Sequence, residues 1–579
     1  MKYDDILSRY VGEFGKYQKL QYLLVCLPTV FVSMQVLSWT FTGAVINHRC
    51  AYPFESKNAS YFAAFDRLGI PSNATKVLKE YRCQRVAGLN DSWPAADQVL
   101  DLQTAQNESC DWHVWDNSEI KYTALQKWNV ICDRKWIRPF IQSMYYIGQA
   151  VGSLTFGFIA DRFGRKLAFL LAILSQCVSG LLMAFVPWWP LFAILRAVLG
   201  FGHPGVFVIS VVIGMELVGP SKRFIGGIAT GIFFAFGQVI LGVLAYFLRD
   251  YVILQLTISV PYFAFLVYWW LVPESARWLM SLGRNEEADK ILRRAAKING
   301  RTLPPDWRDN LELDKPKTAA KKYSFADLFK TPNIRKRALI CFFCWPSVSM
   351  IYYGIGMAPD FLGGDRYVMF ILSGVAEIPG VVMAGLTINR VGRKALAVFG
   401  FSTGAISLFL TLLIPSASSD SGSTYRILTA FLVIFSKAVI TMTYATEYTY
   451  TPELFPTVIR NFGMGLCSMT ARAGGVAASY ITMYLAAINR SAAVVIMASF
   501  ATVACLLTLL LPETSGISML ETIPEAESFG QGSRWYSFKA PPQDVSLADG
   551  AALTSDDKEM EVMLKDFANR TTNKSDELA

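Results

Sequence analysis

Charge and histidine are scarce in this chain. Of 579 residues, 17% are Asp, Glu, Lys or Arg, and only three are His. Soluble domains carry about 25% charged residues. With 53% hydrophobic content, the shortfall excludes an ordinary soluble protein. Catalytic signatures are missing as well. The sequence holds no GxxxxGK[ST] loop to cradle nucleotide phosphates, no HExxH pair, and no two Cys-x-x-Cys pairs at zinc spacing. Neither an enzyme nor an ATP-driven pump has support, and no cofactor or metal is expected. The net charge of +9 is no nucleic-acid footprint, because Lys and Arg sit in short clusters between apolar runs. No cleavable leader is expected either: Met1–Gln18 is polar, and no A-x-A site follows the first apolar run, Tyr22–Val45.

What is present is a message stated twice, about 230 to 240 residues apart. GFIADRFGRK at 157–166 returns as GLTINRVGRK at 385–394. Glu216 and Arg223 in GMELVGPSKR return as Glu453 and Arg460 in YTPELFPTVIR, seven residues apart both times. LVPESARWL, with Glu274, rhymes with LLPETSG, with Glu513. Between these motifs lie apolar runs of roughly 20 residues, the length that spans a bilayer. They number twelve, centred near Phe31, Tyr146, Leu174, Val206, Gln238 and Phe263, then Val348, Ala376, Gly404, Phe435, Ala471 and Val503. Paired membrane halves holding a substrate where they meet are the plan of many secondary transporters. The expected fold is therefore an all-α membrane protein with two pseudo-symmetric six-helix bundles.

Loop charge sets the expected orientation. The stretch 273–337 carries sixteen Lys and Arg against nine Asp and Glu, and basic loops stay cytoplasmic. Both termini then face the cytosol. The opposite side should carry the loop 47–136, with sequons at Asn58, Asn73, Asn90 and Asn107 and cysteines at 50, 83, 110 and 132. Four cysteines (Cys50, Cys83, Cys110 and Cys132) allow three disulfide pairings, and the sequence does not choose among them. The expected plan is a cytoplasmic N-terminus at 1–20, a first bundle at 21–272 and a linker with an amphipathic helix at 273–337. A second bundle at 338–514 and a disordered tail at 515–579 complete it.

Charges inside spans are costly, about 2.5–3.5 kcal/mol each at a helix centre, and point to function. Glu377 in the eighth span, Lys437 in the tenth and Arg472 in the eleventh all lie near the midplane by helical rise. A carboxylate and two cations at one depth suit a substrate bearing both an ammonium and a carboxylate. An internal salt bridge between Glu377 and Lys437 or Arg472 is the alternative. Trp345 and Tyr352, seven residues apart on one helix face, offer rings to an ammonium. Tyr353, Tyr444, Tyr448 and Phe234 are further ring candidates, and Gln238 could bond a carboxylate or hydroxyl. His203 reads as structural, and Glu447 as a weak candidate for a coupling cation. The repeated motifs supply expected gating ion pairs: Asp161, Arg162, Arg165, Glu216, Arg223 and Glu274 in one half, Arg390, Arg393, Glu453, Arg460 and Glu513 in the other. Asn389 replaces the acid found at Asp161, so the second set lacks one carboxylate.

DRFGRK with NRVGRK, PESARWL and PETSG resemble the major facilitator superfamily. NHRC at 47–50, KWNVICD at 127–133 and PELFPTVIRNFGMG at 452–465 resemble its organic cation, organic anion and carnitine transporters. The resemblance covers roughly residues 1 to 520. It implies a cavity lined at Trp345 and Tyr352. It also implies a split by charge: cation-selective members typically have an acid where this chain has Arg472, whereas anion and carnitine members have Arg. An acid at Glu377 is similar to cation and carnitine members. The pair looks most like the carnitine, or zwitterion, branch. The expectation is a plasma-membrane facilitator or symporter for small zwitterionic or cationic amines. A polyspecific organic cation facilitator and a non-transporting receptor on this fold are the alternatives. Its partners are a small organic ion and the lipid bilayer; a coupling ion, sodium or proton, and the oligomeric state stay open.

Overall fold

The computed structural model describes residues 3–51, 61, 83–86, 107–110, 112–219, 222–304, 307, 326–357, 365–414, 422–517, 520–530 and 536–539. Among these are twelve helical spans. In the first half they are α1 (Lys16–Leu37, continued by Trp39–Thr42), α2 (Ile137–Phe163), α3 (Arg165–Met183), α4 (Trp189–Leu217), α5 (Arg223–Phe247) and α6 (Tyr251–Ser259, continued to Leu271). The second half has α7 (Pro332–Met357), α8 (Arg366–Val391), α9 (Arg393–Leu413), α10 (Gly422–Leu454), α11 (Arg460–Tyr480, continued to Ile488) and α12 (Arg490–Leu509). Short polar side chains start several of them. Asp250 caps α6, Asp365 caps α8 and Asn489 caps α12, each accepting from backbone N–H groups of the first turn.

Ten of the described spans are long and apolar enough to cross a membrane by themselves; α2 and α11 are not among them. Their composition explains this. The buried residues of α2 include Gln142, Ser143 and Gln149, while α11 is rich in Gly, Ala and Ser and carries Arg472. A polar span is tolerated where that polarity faces protein instead of lipid. Here α2 packs on α11 across the two halves, as α5 packs on α8.

The halves also meet where α1 and α7 end, on the side of the cysteine-rich loop. Thr40 Oγ1 donates to Met357 O at 3.3 Å, and Phe41 stacks on Tyr367 and meets the edge of Phe370. In that loop, β1 (His48–Cys50) is antiparallel to β4 (His113–Trp115), and β2 (Gln84–Val86) to β3 (Asn107–Ser109). The structure selects the pairing the sequence left open: Cys50 with Cys110, and Cys83 with Cys132. Asn107 begins β3, with its side chain outside the described residues; Asn58, Asn73 and Asn90 lie outside them altogether.

Residues 3–11 and 520–530 are tied down on the side of the basic turns. Before α1, Ile6, Leu7 and Val11 share an apolar cluster with Trp278, Leu292 and Trp307, the amphipathic helix forming at Asn285–Ile298. The expected disorder from residue 515 is overturned for part of the tail. Thr522 and Glu525 form a capping box that starts a short helix, Ile523–Ser528. Glu527 then accepts Asn333 N at 2.9 Å and Ile334 N at 3.2 Å, capping α7, and Lys394 Nζ donates to Ser537 O at 3.1 Å. Residues 540–579 are outside the described set.

Candidate functional site: a buried guanidinium among tyrosines

In the second half, α8 carries Glu377 and α10 carries Lys437, both fully buried. Lys437 Nζ lies 2.8 Å from Glu377 Oε1, donates to Tyr352 O at 3.0 Å, and sits 3.3 Å from the centre of the Tyr352 ring. Burying either charge alone is expensive, and a close partner with further hydrogen bonds offsets that cost. One ammonium therefore ties α7, α8 and α10 together. The sequence reading left Glu377 and Lys437 either as substrate contacts or in an internal salt bridge. The structure forms that bridge, with the Tyr352 ring against the same ammonium.

Arg472 on α11 is different. It is 6% exposed, and among the described residues Nη2 donates to Ser468 Oγ at 3.4 Å while Nε has no partner. No carboxylate pairs with it among the described residues. Its neighbours are the phenols of Tyr444, Tyr448, Tyr353 and Tyr145, with His203 beside it. These rings belong to one aromatic wall. Trp345 packs on Tyr448 at 4.8 Å, Tyr352 on Tyr444 at 5.5 Å, and Tyr353 on Tyr146 at 5.2 Å, so the wall reaches from α7 and α10 across to α2. Trp345 is buried and donates from Nε1 to Thr451 Oγ1 at 2.9 Å, while Tyr448 is 40% exposed. Such a cluster offers phenol oxygens, ring faces and one uncompensated positive charge, which suits a molecule with an anionic group and an apolar or cationic body.

Other candidates have different partners. Gln238 on α5 donates from Nε2 to Phe370 O at 3.1 Å and to Ser373 Oγ at 2.6 Å, joining the halves. His203 Nδ1 is 2.7 Å from the Tyr145 hydroxyl, which fits the structural role expected of it. Phe234 packs against Phe207 and the His203 ring. The sequence reading missed Arg196. Fully buried on α4, it donates to Gln35 O, Val36 O, Ser38 Oγ and Gln142 Oε1 within 3.0 Å, and lies 5.1 Å from the centre of the Tyr145 ring. A lone basic residue in an apolar run, LFAILRAVLG, was the available signal.

The basic turns repeat nearly atom for atom. Arg165 N donates to Glu274 Oε1 at 2.9 Å, and Arg393 N to Glu513 Oε1 at 2.9 Å. The Arg165 guanidinium lies 3.4 Å from Glu216 and bonds Ala160 O; that of Arg393 lies 3.1 Å from Glu453 and bonds Ile388 O. Gly164 and Gly392 have φ of +108° and +105°, and an added Cβ would meet the Glu274 or Glu513 carboxylate within 2.5 Å. Only glycine fits both demands. Asp161 adds a contact to Arg165 at 3.2 Å that Asn389 cannot copy. Arg460 donates to Pro452 O and Phe455 O, closing the end of α10, with the Glu453 charge nearby. Arg162 lies over the Phe158 ring, Arg390 is exposed, and the Arg223 side chain is outside the described residues.

A Gly-x-Ser-x-Gly sequence does occur, at 400–404, but inside α9, where Ser402 Oγ donates to Phe399 O. It lacks the strand-to-helix turn of a nucleophile elbow.

The family model for "Sugar (and other) transporter" matches residues 104–526. The chain belongs to that family. Within it, the chain is a member of the organic cation, organic anion and carnitine transporters of the major facilitator superfamily. It is 34% identical over 567 residues to "Organic cation transporter protein" of Drosophila melanogaster, covering 95% of this chain and 98% of that one. To "Organic cation/carnitine transporter 2" of Homo sapiens it is 32% identical over 531 residues, covering 90% and 93%. The fold is similar to the inward open conformation of the xylose transporter XylE from E. coli, with a TM-score of 0.56 at 16% identity over 87% of this chain and 98% of that one. This family member is a multi-pass secondary transporter of small organic ions, not an enzyme.

Proposed function

We propose that this transporter carries small amines that also bear a carboxylate, carnitine-like or betaine-like solutes, across the plasma membrane by alternating access. The basic turns then face the cytosol with both termini, and the disulfide-bonded loop faces outward. The observation that carries the substrate reading is Arg472, a buried guanidinium for which no described carboxylate is a partner. A substrate carboxylate supplies the missing charge. The substrate ammonium competes with Lys437 for Glu377 and meets the ring faces of Tyr352 and Tyr444, each face contributing about 0.5–2 kcal/mol. Binding that differs between two states shifts their populations, which is all that alternating access requires. The paired turns at Arg165 and Arg393 act as gates, holding each half's helix ends in one state and releasing them in the other.

Uptake of labelled carnitine and labelled tetraethylammonium, with and without Arg472→Ala, tests this reading. Carnitine uptake abolished by the substitution supports it. Tetraethylammonium uptake that survives the substitution, with no carnitine uptake in the wild type, replaces it with a polyspecific organic cation facilitator. The continuous aromatic wall is the observation that favours that second reading.

A further inference from the structure

Glu447, on α10, has no role in the substrate site described above. It is 2% exposed, and its one hydrogen bond comes from Thr451 Oγ1, at 3.3 Å from Oε2. Among the described residues no Lys, Arg or His lies within ion-pair distance of it. Its titratable neighbours are Cys341 and Cys344 on α7 and Tyr450 on its own helix, none of which supplies positive charge. Cys467 of α11 lies against Cys341, and Cys505 of α12 beyond Cys344. Towards the basic turns, Arg337 is engaged by Leu454 O and Phe529 O, and Glu513 by the backbone N–H groups of Arg393 and Lys394. Compare Glu377, at the same 2% exposure, which has an ammonium 2.8 Å away. Two equally buried carboxylates thus sit in opposite electrostatic settings, and a buried carboxylate without a counter-charge is held as the neutral acid.

Thr451 links this group to the site. The hydroxyl that donates to Glu447 is the one that accepts the Trp345 indole N–H at 2.9 Å, and Trp345 packs on Tyr448. A carboxylate accepts more strongly than the neutral acid, so loss of the proton strengthens the bond from the hydroxyl that also holds Trp345. We propose that Glu447 is a proton-exchange site of the transport cycle: in one state its carboxyl O–H breaks to carboxylate and a proton that passes to water on the side then open, and in the other state the carboxylate takes a proton from water on the opposite side. This makes the proton, not sodium, the coupling ion. The inference rests on the transport reading only for its second measurement.

The first measurement is infrared difference spectroscopy of the purified full-length protein at neutral pH, wild type against Glu447→Gln, a change that preserves size. A protonated-carboxyl carbonyl stretch present in the wild type and lost in Glu447→Gln is expected. Identical spectra in that region overturn the proposal. The second is uptake into proteoliposomes over about pH 5–8, using whichever of carnitine or tetraethylammonium the wild type accumulates. A rate that varies with pH in the wild type, and is several-fold less pH-dependent in Glu447→Gln and Thr451→Val, is expected. A pH profile unchanged by both substitutions, or uptake driven by sodium alone, overturns it. If the wild type moves neither solute, the substrate reading fails, and the infrared result alone decides the Glu447 proposal.

Discussion

The two halves agree closely at the basic turns and disagree in the charges buried within their spans. At the turns, Gly164 and Gly392, Arg165 and Arg393, and Glu274 and Glu513 occupy matching geometry, with both backbone N–H to carboxylate contacts at 2.9 Å. In the described spans of the first half Arg196 is buried against the end of α1 and satisfied by backbone and side-chain oxygens. The second half buries Lys437 against a carboxylate and Arg472 among tyrosines, with Ser468 Oγ as acceptor. Under the proposed function, the shared geometry serves the gates of both halves and the difference carries recognition of the solute.

The sharpest way to break this comparison is at Lys437. Lys437→Met leaves Glu377 buried without its partner and should cost about 3–5 kcal/mol, read as a large drop in thermal unfolding temperature in detergent. Adding Glu377→Gln should recover most of that loss; no recovery would show that the two residues do not act as a pair. A smaller effect is expected at the turns, where Gly164→Ala and Gly392→Ala should each cost more than about 1 kcal/mol through the positive φ and displace the facing carboxylate. Equal losses in the two halves support mechanical equivalence, while a loss in one half alone contradicts it. Smaller still is the stability effect of Arg472→Ala, expected within about 1 kcal/mol because no buried partner is orphaned. A drop as large as that of Lys437→Met would make Arg472 a structural ion.

The chain ends extend the comparison. The strap before α1 is held by apolar packing, with Tyr3 Oη donating to Glu216 O. The strap after α12 depends on Glu527, a half-buried carboxylate at the start of α7. Burial raises its pKa, but hydrogen bonds from the Asn333 and Ile334 N–H groups and the nearby Arg337 outweigh this and hold it below the usual carboxylate range. A depressed carboxylate stabilises fully above its unfolded pKa and loses that contribution as pH falls through the folded one. Protection factors over 520–530, corrected for the intrinsic pH dependence of exchange, should therefore be constant at neutral pH and fall only in acid, whereas those over 3–11 should change less. Simultaneous release of both straps would show that Glu527 is not the anchor.

Much of this was legible beforehand. Span number, repeat register and the depth of Glu377, Lys437 and Arg472 follow from apolar run length and helical rise, since both are local properties. Even α2 and α11, too polar to pass on hydropathy alone, were marked by the repeated motifs. Which buried charge finds which partner was not legible, because it depends on the rotation of α7, α8 and α10 about their own axes. That is why the alternatives for Glu377, a substrate contact or a salt bridge with Lys437 or Arg472, stayed open until the structure paired it with Lys437. Arg196 was overlooked although it stands alone in an apolar run. The strap was missed although Thr522 and Glu525 have capping-box spacing, because a polar composition outweighed a local cap. Long-range closure also decided the disulfides.

The most direct test of the central claim is binding of carnitine and of choline to the purified protein, wild type against Arg472→Ala. Both ligands carry the trimethylammonium group, and carnitine adds a carboxylate. The account predicts at least tenfold tighter carnitine binding in the wild type, about 1.4 kcal/mol, and near-equal binding in Arg472→Ala. Equal affinities in the wild type, or a preference that survives the substitution, would contradict it.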